Sequence, residues 1–216
     1  MKKLLLSAFV ICLAGTSIAQ ESPLWMRHCA LSPDGTTIAF TYKGDIYTVP
    51  STGGRATQIT TNPAFDTEPV WSPDSKQIAF ASDRMGSLDV FVVSSEGGAP
   101  QRLTTHSGSE KPVAYKDNKH ILFTANIAPS AEDAGFPSGQ FQQVYEVAVT
   151  GGRPAMFSSM PMECISINKE GVMLYQDKKG YEDYWRKHQV SPIARDIWTY
   201  TPGKKPVYQK QTTFGG

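Results

Sequence analysis

One phrase recurs four times along this chain and restricts the folds that the chain can adopt. The first copy reads Asp45-Ile-Tyr-Thr-Val-Pro-Ser-Thr-Gly-Gly-Arg-Ala-Thr-Gln-Ile-Thr-Thr61, and related copies begin at Asp89, Gln143 and Asp196. Successive copies start 44, 54 and 53 residues apart. Sequence periods of this size, with strand patterns inside each copy, are typical of the blades of a β-propeller. We therefore predict a stack of small, related β-sheets.

Each unit predicts four short antiparallel strands, which we label a, b, c and d in chain order. In the first unit Ser32-Pro33-Asp34-Gly35 forms the a–b turn, because proline presets φ and glycine completes a type I turn. Gly53-Gly54 forms the c–d turn, since glycine adopts positive φ without a steric penalty. Asp34, Asp74 and Asp117 recur at the a–b turn, so we assign these carboxylates to the turn rather than to catalysis.

The fold class that follows is all-β, a β-propeller of four-stranded antiparallel blades. The predicted blades cover about residues 24–61, 67–105, 110–159 and 162–213 of a propeller segment, residues 20–216. Four blades of this type do not normally close a ring, and an open ring exposes a blade face and a sheet edge. We therefore expect an incomplete ring, with four blades of six, at the front of a longer protein.

The first 19 residues predict a secretory signal peptide. Lys2 and Lys3 precede an apolar run from Leu4 to Leu13, and small residues lead to a cleavage site after Ala19. The apolar run is too short to span a bilayer, so we expect no membrane span after cleavage. The predicted location is the periplasm or the extracellular medium.

Charge and cysteine content exclude some partners. The net charge is +1, or −1 without the two N-terminal lysines, and the cationic residues form no cluster. Nucleic acid is therefore not an expected partner, because phosphate contacts need clustered cations.

The two cysteines of the propeller segment, Cys29 and Cys164, lie in strand a of the first and fourth units. In a six-bladed ring these strands face each other across the axis, beyond the roughly 7 Å that a disulfide spans. We expect two separate, buried thiols.

Two units carry insertions, and both insertions lie between strands b and c. The first covers residues 126–142 and the second covers residues 177–195. The b–c loops and d–a loops of a blade emerge on one face, so the insertions share a face on neighbouring blades. Long loops on a regular scaffold are often functional. Our candidate binding residues therefore come from the second insertion and are Tyr184, Trp185, Arg186 and His188. The alternative role for Tyr184 and Trp185 is to cap the hydrophobic end of the blade.

Motifs for catalysis and metal binding are missing from the sequence. The chain has no G-x-S-x-G, H-E-x-x-H or P-loop pattern and no paired-cysteine metal spacing. We therefore predict no catalytic residue, no metal site and no cofactor in this chain. Ser82-Asp83-Arg84 has the composition of an ion-pair element that stabilises a blade.

Residues 70–84, Val-Trp-Ser-Pro-Asp-Ser-Lys-Gln-Ile-Ala-Phe-Ala-Ser-Asp-Arg, resemble the repeat of TolB-type propellers. The wider pattern is similar to the N-terminal propeller of secreted tricorn-like serine peptidases of Bacteroidetes-type bacteria. The segments that carry this similarity are Pro23-Leu-Trp-Met-Arg27 after the signal, the aromatic second insertion and Arg195-Asp-Ile-Trp198. The resemblance implies a six-bladed propeller followed by PDZ and protease domains that hold the catalytic serine.

The resemblance implies a non-catalytic role in which the segment guides or gates peptides or unfolded protein substrates and supports assembly, with a homo-oligomer as one option. Two alternatives remain open from the sequence. One is a stand-alone TolB-like interaction module in the periplasm. The other is the propeller of a prolyl-oligopeptidase-type hydrolase.

Overall fold

The structure, a computed structural model, describes residues 25–127, 142–178 and 195–213. The predicted signal peptide lies outside these residues and stays a prediction. The described residues form four antiparallel sheets, which we call blades 1 to 4 in chain order. The all-β propeller architecture with four-stranded blades is therefore confirmed, whereas a ring of six blades stays a prediction.

The strands follow one another in each blade, so that chain order equals spatial order. Blade 1 contains β1 (Arg27–Leu31), β2 (Thr37–Tyr42), β3 (Asp45–Pro50) and β4 (Thr57–Gln58). Blade 2 contains β5 (Asp66–Trp71), β6 (Gln77–Ser82), β7 (Asp89–Ser94) and β8 (Gln101–Arg102). Blade 3 contains β9 (Lys111–Asp117), β10 (His120–Ala125), β11 (Gln143–Ala148) and β12 (Ala155–Ser158). Blade 4 contains β13 (Met162–Ile167), β14 (Met173–Asp177), β15 (Ile197–Thr201) and β16 (Val207–Lys210).

The turns have the chemistry that the sequence predicts. The amide of Gly35 donates to the carbonyl of Ser32 at 2.8 Å, and Gly35 has a φ of 76°. The carboxylate of Asp34 accepts bonds from the Ser32 hydroxyl at 2.6 Å and from the Thr36 amide at 2.9 Å. Asp74 and Asp117 accept equivalent local bonds, so their assignment to the turn is confirmed.

The core lies between successive blades rather than inside each sheet. One side of blade 1, with Ala39 and Ile46, packs against Phe80 and Phe91 of blade 2. The same arrangement recurs between blades 2 and 3 and between blades 3 and 4. Because strand residues alternate between two faces, blades 2 and 3 each contribute one face to each of two interfaces, whereas blades 1 and 4 each contribute to one among the described residues. Small aliphatic residues on one blade thus meet an aromatic face on the next.

The first strand of each blade lies on the inner side of the arrangement, where β1, β5, β9 and β13 contact one another in succession. Three of these strands carry a β-bulge near their start, at which His28, Glu68 and Cys164 have φ values of 51°, 55° and 52°. A left-handed non-glycine residue costs about 1–3 kcal/mol, so the surrounding sheet must hold this conformation.

The prediction of buried thiols is wrong, although both cysteines are free as expected. Cys29 and Cys164 are exposed, and each lies within a bulge of a first strand. A bulge breaks the strict alternation of a strand, and Cys29 also belongs to a blade face that no described residue covers. The two sulfur atoms therefore stay accessible.

Candidate functional site: a groove lined by all four blades

A groove of about 690 Å³ runs along the inner side of the molecule and receives residues from every blade. Its walls combine apolar side chains with the outer edges of the first strands. Leu31, Val70, Tyr115 and Ile167 represent blades 1 to 4 in this lining. Because each first strand pairs with a neighbour on one side only, its other backbone edge faces the groove.

Two aromatic residues form the fixed part of the groove wall. The indole nitrogen of Trp71 donates to the carbonyl of Ala30 at 3.0 Å, which connects blade 2 to blade 1. Tyr115 is 5% exposed, and burial raises the pKa of its hydroxyl. Both rings are nearly buried and shape the groove wall, whereas Leu31 is the more exposed apolar residue of the lining.

Ion pairs lie at the starts of the first strands, at the opposite end from the a–b turns that contribute Pro33, Pro73 and Asn118 to the groove. Lys111 Nζ lies 2.8 Å from Glu68 Oε1 and joins blades 2 and 3. Glu163 on blade 4 contacts Lys178 at 3.0 Å and also pairs with Arg195. These side chains are partly exposed, so the starts of the first strands present both signs of charge to the solvent.

Ends of both insertions lie beside these ion pairs. Gln142, the residue after one undescribed segment, lines a cavity of about 280 Å³ together with Glu68 and Glu163. Lys178 and Arg195 stand directly before and after the other undescribed segment, and both pair with Glu163. One end of the first insertion and both ends of the second therefore lie near the starts of the first strands.

The four candidate binding residues of the second insertion, Tyr184, Trp185, Arg186 and His188, lie outside the described residues. Sequence reasoning did not find Glu68, Lys111 and Glu163, because ordinary charged residues in a strand carry no motif. The available signal was positional, since Glu163 and Lys111 both occupy the first residues of strand a in their units.

Within the described ranges, no group of three or more His, Cys, Asp or Glu side chains is arranged to hold a metal ion. The same residues include no helix with the length and hydropathy needed to cross a bilayer.

These features define the class of protein as a TolB-type β-propeller. The chain belongs to the family of the tricorn protease N-terminal beta propeller domain, whose pattern matches residues 23–213. The resemblance seen in the sequence is thereby confirmed at the level of the family.

Individual relatives agree with this family. The chain is 39% identical over 77 residues to tricorn protease homolog 1 of Streptomyces coelicolor, a match that covers 36% of this chain and 7% of the relative. It is 32% identical over 108 residues to the uncharacterized peptidase YuxL of Bacillus subtilis, covering 44% of this chain and 16% of the relative. The chain thus spans only a small part of the length of these two relatives.

A solved structure shows the same fold. TolB from Acinetobacter baumannii has a TM-score of 0.61 and 17% sequence identity, over 86% of this chain and 43% of that chain. At this identity the similarity supports the propeller architecture alone.

Proposed function

We propose that this chain is the non-catalytic propeller portion of a periplasmic or secreted tricorn-like serine peptidase, in which it guides or gates peptides. The observation that carries the proposal is the groove that all four blades line, in a chain of the tricorn propeller family. Catalysis belongs to domains that follow the propeller in the longer protein.

The groove suits an extended peptide of varied sequence. The unpaired strand edges present backbone N–H and C=O groups that can form hydrogen bonds with a peptide of any sequence. The apolar walls can contact alternate side chains of the same peptide. The starts of the first strands carry both carboxylates and ammonium or guanidinium groups, so they do not exclude peptides of either charge. A guiding role needs this weak selectivity, because a protease must pass many substrates.

The proposed partners and location follow from the same hypothesis. The substrates are peptides or unfolded proteins, delivered to downstream domains, and the propeller supports assembly of a homo-oligomer. Export by the predicted signal peptide would place the protein in the periplasm or outside the cell.

The coding sequence beyond Gly216 tests the domain arrangement. Two further blades followed by PDZ and protease domains would support the proposal. A stop codon after a sixth blade would favour a stand-alone interaction module, and an α/β-hydrolase domain with G-x-S-x-G would favour an oligopeptidase.

Substitution of the insertion tests the guiding role. In the longer peptidase we expect Trp185→Ala and Arg186→Ala to lower kcat/KM for peptides by roughly tenfold, because loop contacts orient the substrate. The melting temperature should stay unchanged. Lys204→Ala, an exposed substitution in blade 4, serves as the control for turnover. An equal loss of melting temperature and turnover in the insertion variants would instead assign them to capping of the blade.

A further inference from the structure

Two carboxyl groups are fully buried where blade 2 meets blade 3. Asp89 begins β7, Glu110 directly precedes β9, and both residues have 0% exposure. The amide of Glu110 donates to the carbonyl of Leu88 at 2.7 Å, which fixes the two segments side by side. The carboxyl groups of Asp89 and Glu110 influence each other, which indicates that they lie close together.

No donor among the described residues forms a hydrogen bond of normal geometry with these carboxyl groups. All four oxygen atoms lack a hydrogen-bond partner. Arg102 Nη2 lies 2.8 Å from Asp89 Oδ2, an ion-pair contact without hydrogen-bond geometry. Two adjacent carboxylates can only accept, so they gain a mutual hydrogen bond only when one of them holds a proton.

The preceding blade junction shows how a second carboxylate is otherwise accommodated. Asp66 occupies in blade 2 the place that Glu110 has in blade 3, and it is also fully buried. Both Asp66 oxygens accept bonds from Arg84 Nη2 at 3.0 Å. In blade 3 the register places Ile127 where blade 2 has Arg84 and Ala125 where it has Ser82. The arginine that would pair with Glu110 is therefore replaced by an apolar residue.

Arg102 and His106 are the two basic groups near the pair, and the Arg102 guanidinium carries a full positive charge. Arg102 on β8 approaches Asp89, and His106 in the loop before β9 acts on Glu110 electrostatically. The Thr104 hydroxyl and the His106 amide also lie near Glu110, although neither reaches hydrogen-bond geometry. Burial is the main influence on both acids and raises the pKa of Asp89 and of Glu110.

We propose that Asp89 and Glu110 hold one proton between them at neutral pH, as a carboxylic acid–carboxylate pair whose single negative charge faces Arg102. The shared proton makes the junction of blades 2 and 3 a pH-sensitive joint. Folding binds this proton, which the unfolded chain releases above its ordinary carboxyl pKa of about 4. The contribution of the pair to stability is therefore complete at acid pH and declines as pH rises through the raised pKa of the folded state.

Infrared difference spectroscopy of the whole chain tests the proton directly. At about pH 7, where ordinary carboxyl groups are ionised, the wild-type chain should show the C=O stretch of a protonated carboxylic acid, and Glu110→Gln should remove it. Glu68→Gln, which removes a partly exposed carboxylate of the same residue type, should keep the band. Absence of a band that Glu110→Gln removes would overturn the proposal.

A second variant retains both Asp89 and Glu110 and adds an arginine as an ion-pair partner. Ala125→Ser with Ile127→Arg copies Ser82 and Arg84 of blade 2, and we expect the added guanidinium to ionise both carboxyl groups and abolish the band. Persistence of the band in the folded double variant would contradict the proposal.

Thermal unfolding supplies the second readout. Glu110→Gln should melt roughly 2–4 °C above wild type at about pH 8, with a smaller difference at about pH 5. A difference that does not change with pH would contradict proton sharing. If Glu110→Gln does not fold, Asp89→Asn removes the other half of the pair and is judged by the same two measurements.

Discussion

Arg84 combines an ion pair, a hydrogen bond and two aromatic contacts in one side chain. Its guanidinium binds both oxygens of Asp66, and its Nε donates to the hydroxyl of Ser82 at 2.8 Å. The guanidinium carbon also lies 4.5 Å and 5.5 Å from the ring centres of Phe91 and Phe80. The ion-pair element that the sequence indicated at Ser82-Asp83-Arg84 is therefore confirmed.

Removing this guanidinium should be costly. Arg84→Ala leaves the fully buried Asp66 without a counter-ion, and we expect a loss of about 3–5 kcal/mol in the free energy of unfolding. Urea denaturation measures the loss. The matched control is Arg55→Ala, an exposed arginine in the c–d turn of blade 1, whose effect should stay within about 0.5 kcal/mol. Equal effects of the two substitutions would contradict the role of the buried pair.

The two cysteines give a second prediction at the scale of residues. Because Cys29 and Cys164 are exposed and free, Ellman's reagent should modify both thiols without denaturant in the chain that begins at Gln20. Cys29→Ser and Cys164→Ser should each remove one reactive thiol. A native chain that reacts only after unfolding would show that the sulfur atoms are covered.

At the scale of elements, hydrogen bonds between the first two residues of the repeated phrase and its next-to-last residue, a threonine in three of the four copies, give the phrase a structural explanation. The hydroxyl of Thr60 accepts the amide of Ile46 at 2.9 Å and lies 3.3 Å from Asp45. Thr104 accepts the amide of Val90 at the same distance, and Thr212 donates to Asp196 at 2.7 Å. The threonine of the phrase thus connects the segment after strand d to the start of strand c, with an added bond to the phrase aspartate at Asp45 and Asp196.

Loss of one such hydroxyl should weaken its blade. Thr104→Val retains the shape of the side chain but leaves the buried amide of Val90 without an acceptor, at a cost of about 1–3 kcal/mol. Chemical denaturation with urea again gives the free energy. Thr105→Val changes the exposed neighbour and should have almost no effect. A neutral Thr104→Val would mean that the threonine is not needed for blade stability.

At the scale of the whole molecule, the aromatic face of blade 1 lines a cavity, and no other described blade packs on this face. Phe40 and Tyr47 stack with ring centres 5.9 Å apart, as Phe80 and Phe91 do in blade 2. In blade 2 this face packs on the preceding blade, whereas in blade 1 it lines an open apolar cavity of about 420 Å³. Blade 4, the last described blade, also exposes apolar side chains, since Leu174 and Ile197 are 45% and 42% exposed.

Exposed faces of this kind favour association, so the isolated chain should self-associate as its concentration rises. Sedimentation velocity measures this change. The double variant Met26→Ser and Tyr42→Ser, which makes the rim of the cavity polar, should reduce the association. The control is Met85→Ser, which removes an apolar side chain that is 61% exposed and does not line this cavity. This control should leave the self-association unchanged. A wild-type chain that stays monomeric at all concentrations would contradict the prediction.

The sequence by itself determined the blade. A repeated phrase, alternating apolar residues and turn residues such as Asp34 and Gly35 act over short distances, so the strands and turns could be predicted from local patterns. Tertiary structure decided the rest. The ion pairs of Glu68, Lys111 and Glu163 and the burial of Glu110 against Asp89 join segments that are distant in sequence. Bulges also placed Cys29 and Cys164 at the surface, because burial depends on how blades stack and not on the pattern within one strand.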